Sequence, residues 1–240
     1  MNTKLILSFL NNVTVNNNRE WFHAHKAEYD AARKEFETAV EVLIGKIAEF
    51  DPTVGHLTVK DCCYRFYRDT RFSPDKSPYK RHFGCYISAK GKKSLHGGYY
   101  VHIQPGNCFI ATGAYWLPTN ILTACRNEIM VNIDEWLKAV ENGRFVKTYG
   151  YVGEGRMEDY TDEDLMSPKG FGMTMLKKAP KDFPSDYEYL RYLKMKDYCC
   201  WHAVSEGFFD GEKWMDEACS MFKTAKPMMD FVNAVIDDYE

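Results

Sequence analysis

The sequence contains no apolar run near the roughly 20 residues needed to cross a bilayer, so no membrane partner is expected. The stretch Leu5-Ile6-Leu7-Ser8-Phe9-Leu10 is too short for a secretory leader. Asn11-Asn12 follow it where a small-residue cleavage site would stand, and the cytoplasm is the expected location. There is no C-x-x-C among the eight cysteines, and two pairs, Cys62-Cys63 and Cys199-Cys200, are adjacent in sequence. Adjacent residues of a strand point to opposite faces, so such pairs suit neither a bridge nor one tetrahedral metal. Reduced, buried thiols and no metal are expected. The strings G-x-x-x-x-G-K-[ST], G-x-G-x-x-G, G-x-S-x-G and H-E-x-x-H are also missing, which removes the usual signatures of nucleotide-dependent enzymes, serine hydrolases and zinc proteases. No cofactor is expected. Without an internal repeat or a linker, residues 1–240 read as a single domain.

What is present is an ordinary globular composition with uneven charge. The 240 residues are 45% hydrophobic and 27% charged, with a net charge of −3. Residues 60–93 nevertheless hold ten Lys/Arg against Asp61, Asp69 and Asp75, a local balance of +7. Residues 154–164 hold six acids and one Arg, and residues 206–240 hold nine acids and three Lys. Such separation steers an anionic partner, or else lets the two kinds of segment face each other in the fold.

A short helix is expected over residues 4–11. A long one follows from a capping box at Asn17 and Glu20, with Tyr29, Ala32, Phe36, Val40, Leu43, Ile47 and Phe50 as its apolar stripe. Asp51-Pro52 ends it. The pattern then alternates. Cys62, Tyr64 and Phe66, then Phe83, Cys85 and Ile87, then Tyr99, Val101 and Ile103, then Cys108 to Thr112 predict four close strands that must be mainly antiparallel. Helices are predicted from Pro118 with Ile121, Leu122, Cys125, Ile129 and Met130, and from Asp134 with Trp136, Leu137 and Val140, Gly143 following its end. Residues 150–185 read as irregular. A helix near 186–195, a strand at 199–205 and two C-terminal helices near 211–223 and 227–238 complete the chain. The fold class is therefore α+β: a mainly antiparallel sheet of four or more strands flanked by N-terminal and C-terminal helices.

The chemistry concentrates in residues 65–82, where Arg65, Arg68, Arg71, Lys76, Lys80 and Arg81 alternate with aromatics and two prolines. Loops this long inside compact domains are often functional, and Pro74 and Pro78 restrict the backbone that presents the charges. Guanidinium forks suit phosphate or carboxylate. The candidate anion-binding set is Arg65, Arg68, Arg71, Lys76, Lys80, Tyr100 and Arg126, with His102 on the same strand face as Tyr100 as a general-base candidate. The bland alternative is a network in which these arginines pair with Asp69 and Asp75 to pin a long loop. His23-Ala24-His25 and the pair His202 and Glu206 are poorer constellations.

The string Arg65-Phe66-Tyr67-Arg68-Asp69-Thr70-Arg71-Phe72-Ser73-Pro74-Asp75-Lys76-Ser77-Pro78-Tyr79-Lys80 resembles the signature of a widespread bacterial family of uncharacterised proteins. So do Asn18-Arg19-Glu20-Trp21-Phe22, Gly98 to Ile103, Gly113-Ala114-Tyr115-Trp116-Leu117-Pro118, Arg126 and Lys177-Lys178-Ala179-Pro180-Lys181, over roughly residues 5–200. Asp182 stands where that pattern usually has glycine. The resemblance implies no activity. A site for a phosphorylated or carboxylated small molecule, binding or enzymatic, is the leading expectation. A nucleic-acid surface is the alternative, with the pI of about 6.2 against it. A protein-interaction role is the third, and the oligomeric state is open.

Overall fold

A computed structural model describes residues 1–155 and 167–239. Residues 156–164 of the acidic run lie outside the described residues. The chain opens with α1 (Thr3–Val15), capped by the Asn2 side chain, which accepts from the Leu5 amide at 3.0 Å. The helix outruns its predicted end because Val13 continues the buried stripe of Ile6, Phe9 and Leu10. The predicted long helix is two: α2 (Arg19–Ala24) and α3 (Lys26–Ala48). The break falls at His25, whose ring stacks on Trp21 at 4.1 Å while its Nδ1 donates to the Trp21 carbonyl. Asp51 then caps a short 3-10 turn at Pro52–Val54 and accepts from Tyr99 Oη at 2.8 Å.

After α4 (Val59–Cys62) come β1 (Phe83–Ile87), β2 (Gly98–Ile103) and β3 (Cys108–Ala114). The middle of the chain forms α5 (Thr119–Val131), α6 (Ile133–Val140), α7 (Gly143–Tyr149) and β4 (Lys169–Phe171). It ends in α8 (Leu190–Leu193), β5 (Tyr198–Val204) and α9 (Trp214–Ile236). The strands make one antiparallel sheet in the order β1-β2-β3-β5-β4, with Phe83 opposite Ile103, His102 opposite Phe109 and Ala111 opposite Trp201. The fold is α+β, as the strand clustering implied.

Period two divides the sheet into faces. Phe83, Cys85, Tyr99, Val101, Ile103 and Ile110 pack with α1 and α3 in one buried cluster. Tyr198, Cys200 and Phe171 lie on that same face at the other end of the sheet and pack with α5, α6 and α7 in a second, while Phe109 and Trp201 form a small cluster on the opposite face. Helix α9 joins the two, giving Cys219, Phe222 and Met229 to the first and Ala225, Met228, Val232 and Ile236 to the second. That role explains why the two predicted C-terminal helices are one. Pro227 inside α9 costs roughly 3 kcal/mol in a helix interior. Burying Met228, Met229 and Val232 offsets it, at about 1.5–3 kcal/mol per large side chain.

One other expectation is corrected. Cys62 closes α4, and residues 63–67 form no strand of the sheet: they are extended, with isolated bridges from Cys63 to Cys85 and from Tyr67 to Tyr79. Gly143 follows the end of α6 as expected, and it also begins a further helix that the pattern did not show: Asn142 caps it through the Phe145 amide, and Phe145 and Tyr149 bury one turn apart. All eight cysteines are buried and unbridged. Burial pushes the Cys62 and Cys125 thiols up to about 12 and Cys63 to about 11, so they are inert at neutral pH. Among the described residues no helix is long and apolar enough to cross a membrane.

Asp182 has φ +69°, a left-handed conformation that glycine adopts without strain. This accounts for the glycine of the resembling pattern. Asp182 is exposed and has no packing to lose. Asp182→Gly is expected to stabilise the protein by about 0.5–1 kcal/mol, the relief of left-handed strain less the added unfolded-state entropy. Urea denaturation measures it, and a destabilised variant would contradict the strain assignment.

Candidate functional site

Residues 63–68 and 78–85 run antiparallel as an irregular hairpin beside the edge strand. Arg68 N donates to Pro78 O and Lys80 N to Phe66 O, both at 2.9 Å, and Tyr64 N donates to Gly84 O at 3.1 Å. Phe66 and Tyr79 point inward onto Phe9 and Phe22, with Phe22 and Tyr79 stacked at 4.2 Å. Asn17 fastens the hairpin from outside the sheet. Its Nδ2 donates to Tyr79 O at 2.9 Å and its Oδ1 accepts from Tyr79 N at 3.0 Å, so one side chain satisfies both backbone groups. The cap of α2 is therefore Asn18, which accepts from Trp21 N at 2.9 Å, and not Asn17.

The hairpin tip, residues 69–77, folds around one guanidinium. Arg68 donates to Asp75, to Ser77 Oγ at 2.5 Å, to Ser77 O at 3.3 Å and to Ser73 Oγ at 3.4 Å. Asp75 also accepts from the Ser77 amide at 2.8 Å. That amide and the Ser77 hydroxyl, then Arg68, hold the Asp75 carboxyl well below the usual carboxylate range. Arg71 grips Asp69 through two nitrogens, at 2.9 and 2.7 Å, and lowers its pKa to about 2. Lys76 Nζ donates to Thr70 O at 2.8 Å. Arg65 is exposed and close enough to Asp69 to help lower it.

Between this tip and the α1–α2 turn lies an open cleft of about 560 Å³ lined by Asn17, Asn18, Arg19, Thr70, Lys76, Ser77 and Pro78. Its lining contains two cations and no carboxylate. Arg19 is exposed and forms no ion pair among the described residues.

Lys80 lies on the opposite flank of the hairpin, its Nζ 5.1 Å from the Tyr64 ring centre. Tyr64 meets Tyr100 edge-on at 6.4 Å. Tyr100 Oη hydrogen-bonds His102 Nδ1 at 2.8 Å, and His102 Nε2 pairs with Gln104 Oε1 at 2.9 Å. Because the amide oxygen only accepts, Nε2 carries the proton and Nδ1 accepts from the tyrosine. His102 is buried between His82 (4.3 Å) and Phe109 (4.5 Å), with both nitrogens engaged, so it orients Tyr100. Gly84 makes room: a Cβ there would stand 2.8 Å from Tyr100 Oη. His82 is buried, and the desolvation lowers its pKa to about 3, leaving it neutral.

The predicted residues thus divide. Arg68, Arg71 and Lys76 gather on the tip with Arg65 nearby, and Lys80, Tyr100 and His102 gather on the sheet flank. Arg126 joins neither. It is buried in the second cluster and donates to the carbonyls of Leu193 and Met195 at 2.7 and 2.9 Å, on the segment leading into Tyr198. The register puts Tyr198 at the Ala114 end of the sheet, away from the Phe83 and Ile103 end that the hairpin joins. Of the poorer pairs, His202 donates to Thr148 O and Glu206 accepts from Gly106 N, each with its own partner. Among the described residues no three His, Cys, Asp or Glu cluster as metal ligands. Arg19, Asn17 and His82 were not predicted as site residues: Asn17 was read as a helix cap, and Arg19 stood only in the Asn18–Phe22 string of the resemblance.

An α+β domain with a braced, cation-bearing hairpin beside an edge strand defines the class. The model of a conserved hypothetical protein family, DUF2461, matches residues 5–231, and the chain belongs to that family. Comparison with curated proteins and with solved structures gave no match.

Asp69 and Asp75 have folded pKa values below their ordinary one. The order they confer is present above about pH 4 and lost as pH falls toward 2. The Arg71 amide resonance, which reports Asp69 through its hydrogen bond to Oδ1, is expected to shift across that window, and that of Ser77, bonded to the more strongly lowered Asp75, only at lower pH still. At neutral pH, Asp75→Asn is expected to speed tryptic cleavage after Arg71 without lowering Tm appreciably. Unchanged cleavage would show that Asp75 does not hold the tip.

Proposed function

We propose that the chain binds a small phosphorylated or carboxylated molecule in the cleft between the α1–α2 turn and the hairpin tip. The observation that carries this reading is a pair of cations, Arg19 and Lys76, lining a cleft without a carboxylate. Lys76 uses one of its three N–H groups on Thr70 O and keeps two for a ligand. Arg19 offers a planar fork suited to two oxygens of one anion. Asn18, Thr70 and Ser77 supply polar contacts along the same wall. Arg68 serves the site at one remove, by fixing the tip that carries Thr70, Lys76 and Ser77. The volume falls within the few-hundred to one-thousand Å³ usual for small-ligand sites. Eight unbridged thiols support a cytoplasmic location.

A ligand that binds only the folded state raises stability by about 2.7 kcal/mol at a hundred times its Kd. For a domain of this size that is a rise in Tm of about 5–10 °C. Thermal denaturation at matched ionic strength with phosphate, sulfate, nucleotides and dicarboxylates, against chloride, is expected to show a rise for some anions. The rise is expected to disappear in the double variant Arg19→Ala, Lys76→Ala. A uniform response to every salt, or a variant that responds like the parent, would overturn the assignment and leave the tip as a structural network.

A further inference from the structure

Phe72, at the hairpin tip, is 94% exposed and belongs to none of the hydrophobic clusters, so the fold gains nothing from it. The cation over its ring is Arg71, whose guanidinium carbon lies 5.8 Å from the ring centre and whose side chain is 76% exposed. Tyr67, on the hairpin stem, is 49% exposed. The tip that presents Phe72 is held by the four contacts of Arg68, by Asp75 and by two prolines, so that little ordering remains to be done on binding. Both tip carboxylates are engaged, Asp69 by Arg71 and Asp75 by Arg68 and Ser77, while the exposed cations Arg19, Arg65 and Lys76 stand around the same hairpin.

We infer that the hairpin binds single-stranded nucleic acid. This rests on the anion-binding reading above and names its source: the anion in the Arg19 and Lys76 cleft is a backbone phosphate, and Phe72 stacks on a base of the same strand. Two features favour a polymer over a free small molecule. Phe72 does not line the cleft, so a ligand confined there leaves it unused, whereas a strand passes both. Exposed aromatics interleaved with cations are also the arrangement that binds strands without reading their sequence, each base offering a π-face to stack and each phosphate a charge. A duplex keeps its bases stacked on one another and offers Phe72 none.

The test is fluorescence anisotropy with labelled oligothymidine of fifteen nucleotides at low salt, run beside thermal denaturation with inorganic phosphate. Binding is expected, weakening as salt rises because counterions are released from the strand. Phe72→Ala is expected to weaken it about 5- to 150-fold, the equivalent of about 1–3 kcal/mol for one stacked base. Its response to inorganic phosphate should be unchanged, because Phe72 lies outside the cleft. Phe72 is exposed, so the variant folds. If phosphate stabilises the protein through Arg19 and Lys76 but the oligonucleotide fails to bind, or binds Phe72→Ala as tightly as the parent, the strand proposal falls and the small-anion reading stands. If neither ligand has an effect, both fall. Phe72-dependent retention on phosphatidylserine vesicles without oligonucleotide binding would assign the tip to a lipid surface and overturn the proposal.

Discussion

The guanidinium of Arg68 is the interaction on which the candidate site depends. The tip of residues 69–77 has no strand ladder of its own, and its Ser73, Asp75 and Ser77 turn inward onto this one side chain. An arginine suits the position because it offers five donors in a fixed plane, enough to meet a carboxylate, two hydroxyls and a carbonyl at once. A lysine would supply the charge without the fork. Arg68 is also partly covered, with a side chain 22% exposed, so its contacts are less screened than those of Arg71. The functional and structural readings of the arginine string are therefore complementary. Arg68 and Arg71 are spent on Asp75 and Asp69, and that expenditure fixes the places of Lys76, Thr70 and Phe72.

Asn17 performs the same service at the base of the hairpin. By pairing with both backbone groups of Tyr79 it acts as a one-residue strand and ties the hairpin to the turn that carries Asn18 and Arg19. The cleft exists because these two connections, Arg68 within the tip and Asn17 across to the helix, set its walls independently. The aromatic bed of Phe9, Phe22, Phe66 and Tyr79 beneath them supplies the apolar burial that keeps the hairpin on the body of the protein.

Much of this was legible in the residues, and the failures have physical causes. The three strands at 83–87, 98–103 and 108–114 showed period two because one face packs into the apolar core while the other carries Tyr86, Tyr100 and His102 in hydrogen bonds. Residues 62–67 showed the same alternation, yet Phe66 is buried by helices instead of by a ladder, so the pattern reported burial and not strand pairing. Pro227 signalled a helix break that the packing of α9 on both core clusters overrides. Arg126 was assigned to the site for its charge, although it sits four residues after Leu122 and three before Ile129, inside a stripe that faces the core. Its position on the helix was the better guide. The Asn17 clamp was not readable at all, since an asparagine in a turn looks the same whether it caps its own helix or binds a chain 62 residues away.

The tyrosine, histidine and glutamine chain across β2 is a separate device from the cleft, on the other flank of the hairpin. With both His102 nitrogens committed, its effect is to hold the Tyr100 hydroxyl over Gly84. Side-chain hydrogen bonds, not a strand ladder, set the shape of the tip. Amide hydrogen exchange of the parent and of Arg68→Met tests it most directly, since methionine keeps much of the side-chain length and removes every donor. Protection of the Ser77 amide is expected to be lost in the variant, while that of Tyr79, held by Asn17, and of the strands at 83–87 and 98–103 is kept. Protection at Ser77 equal to that of the parent would contradict it.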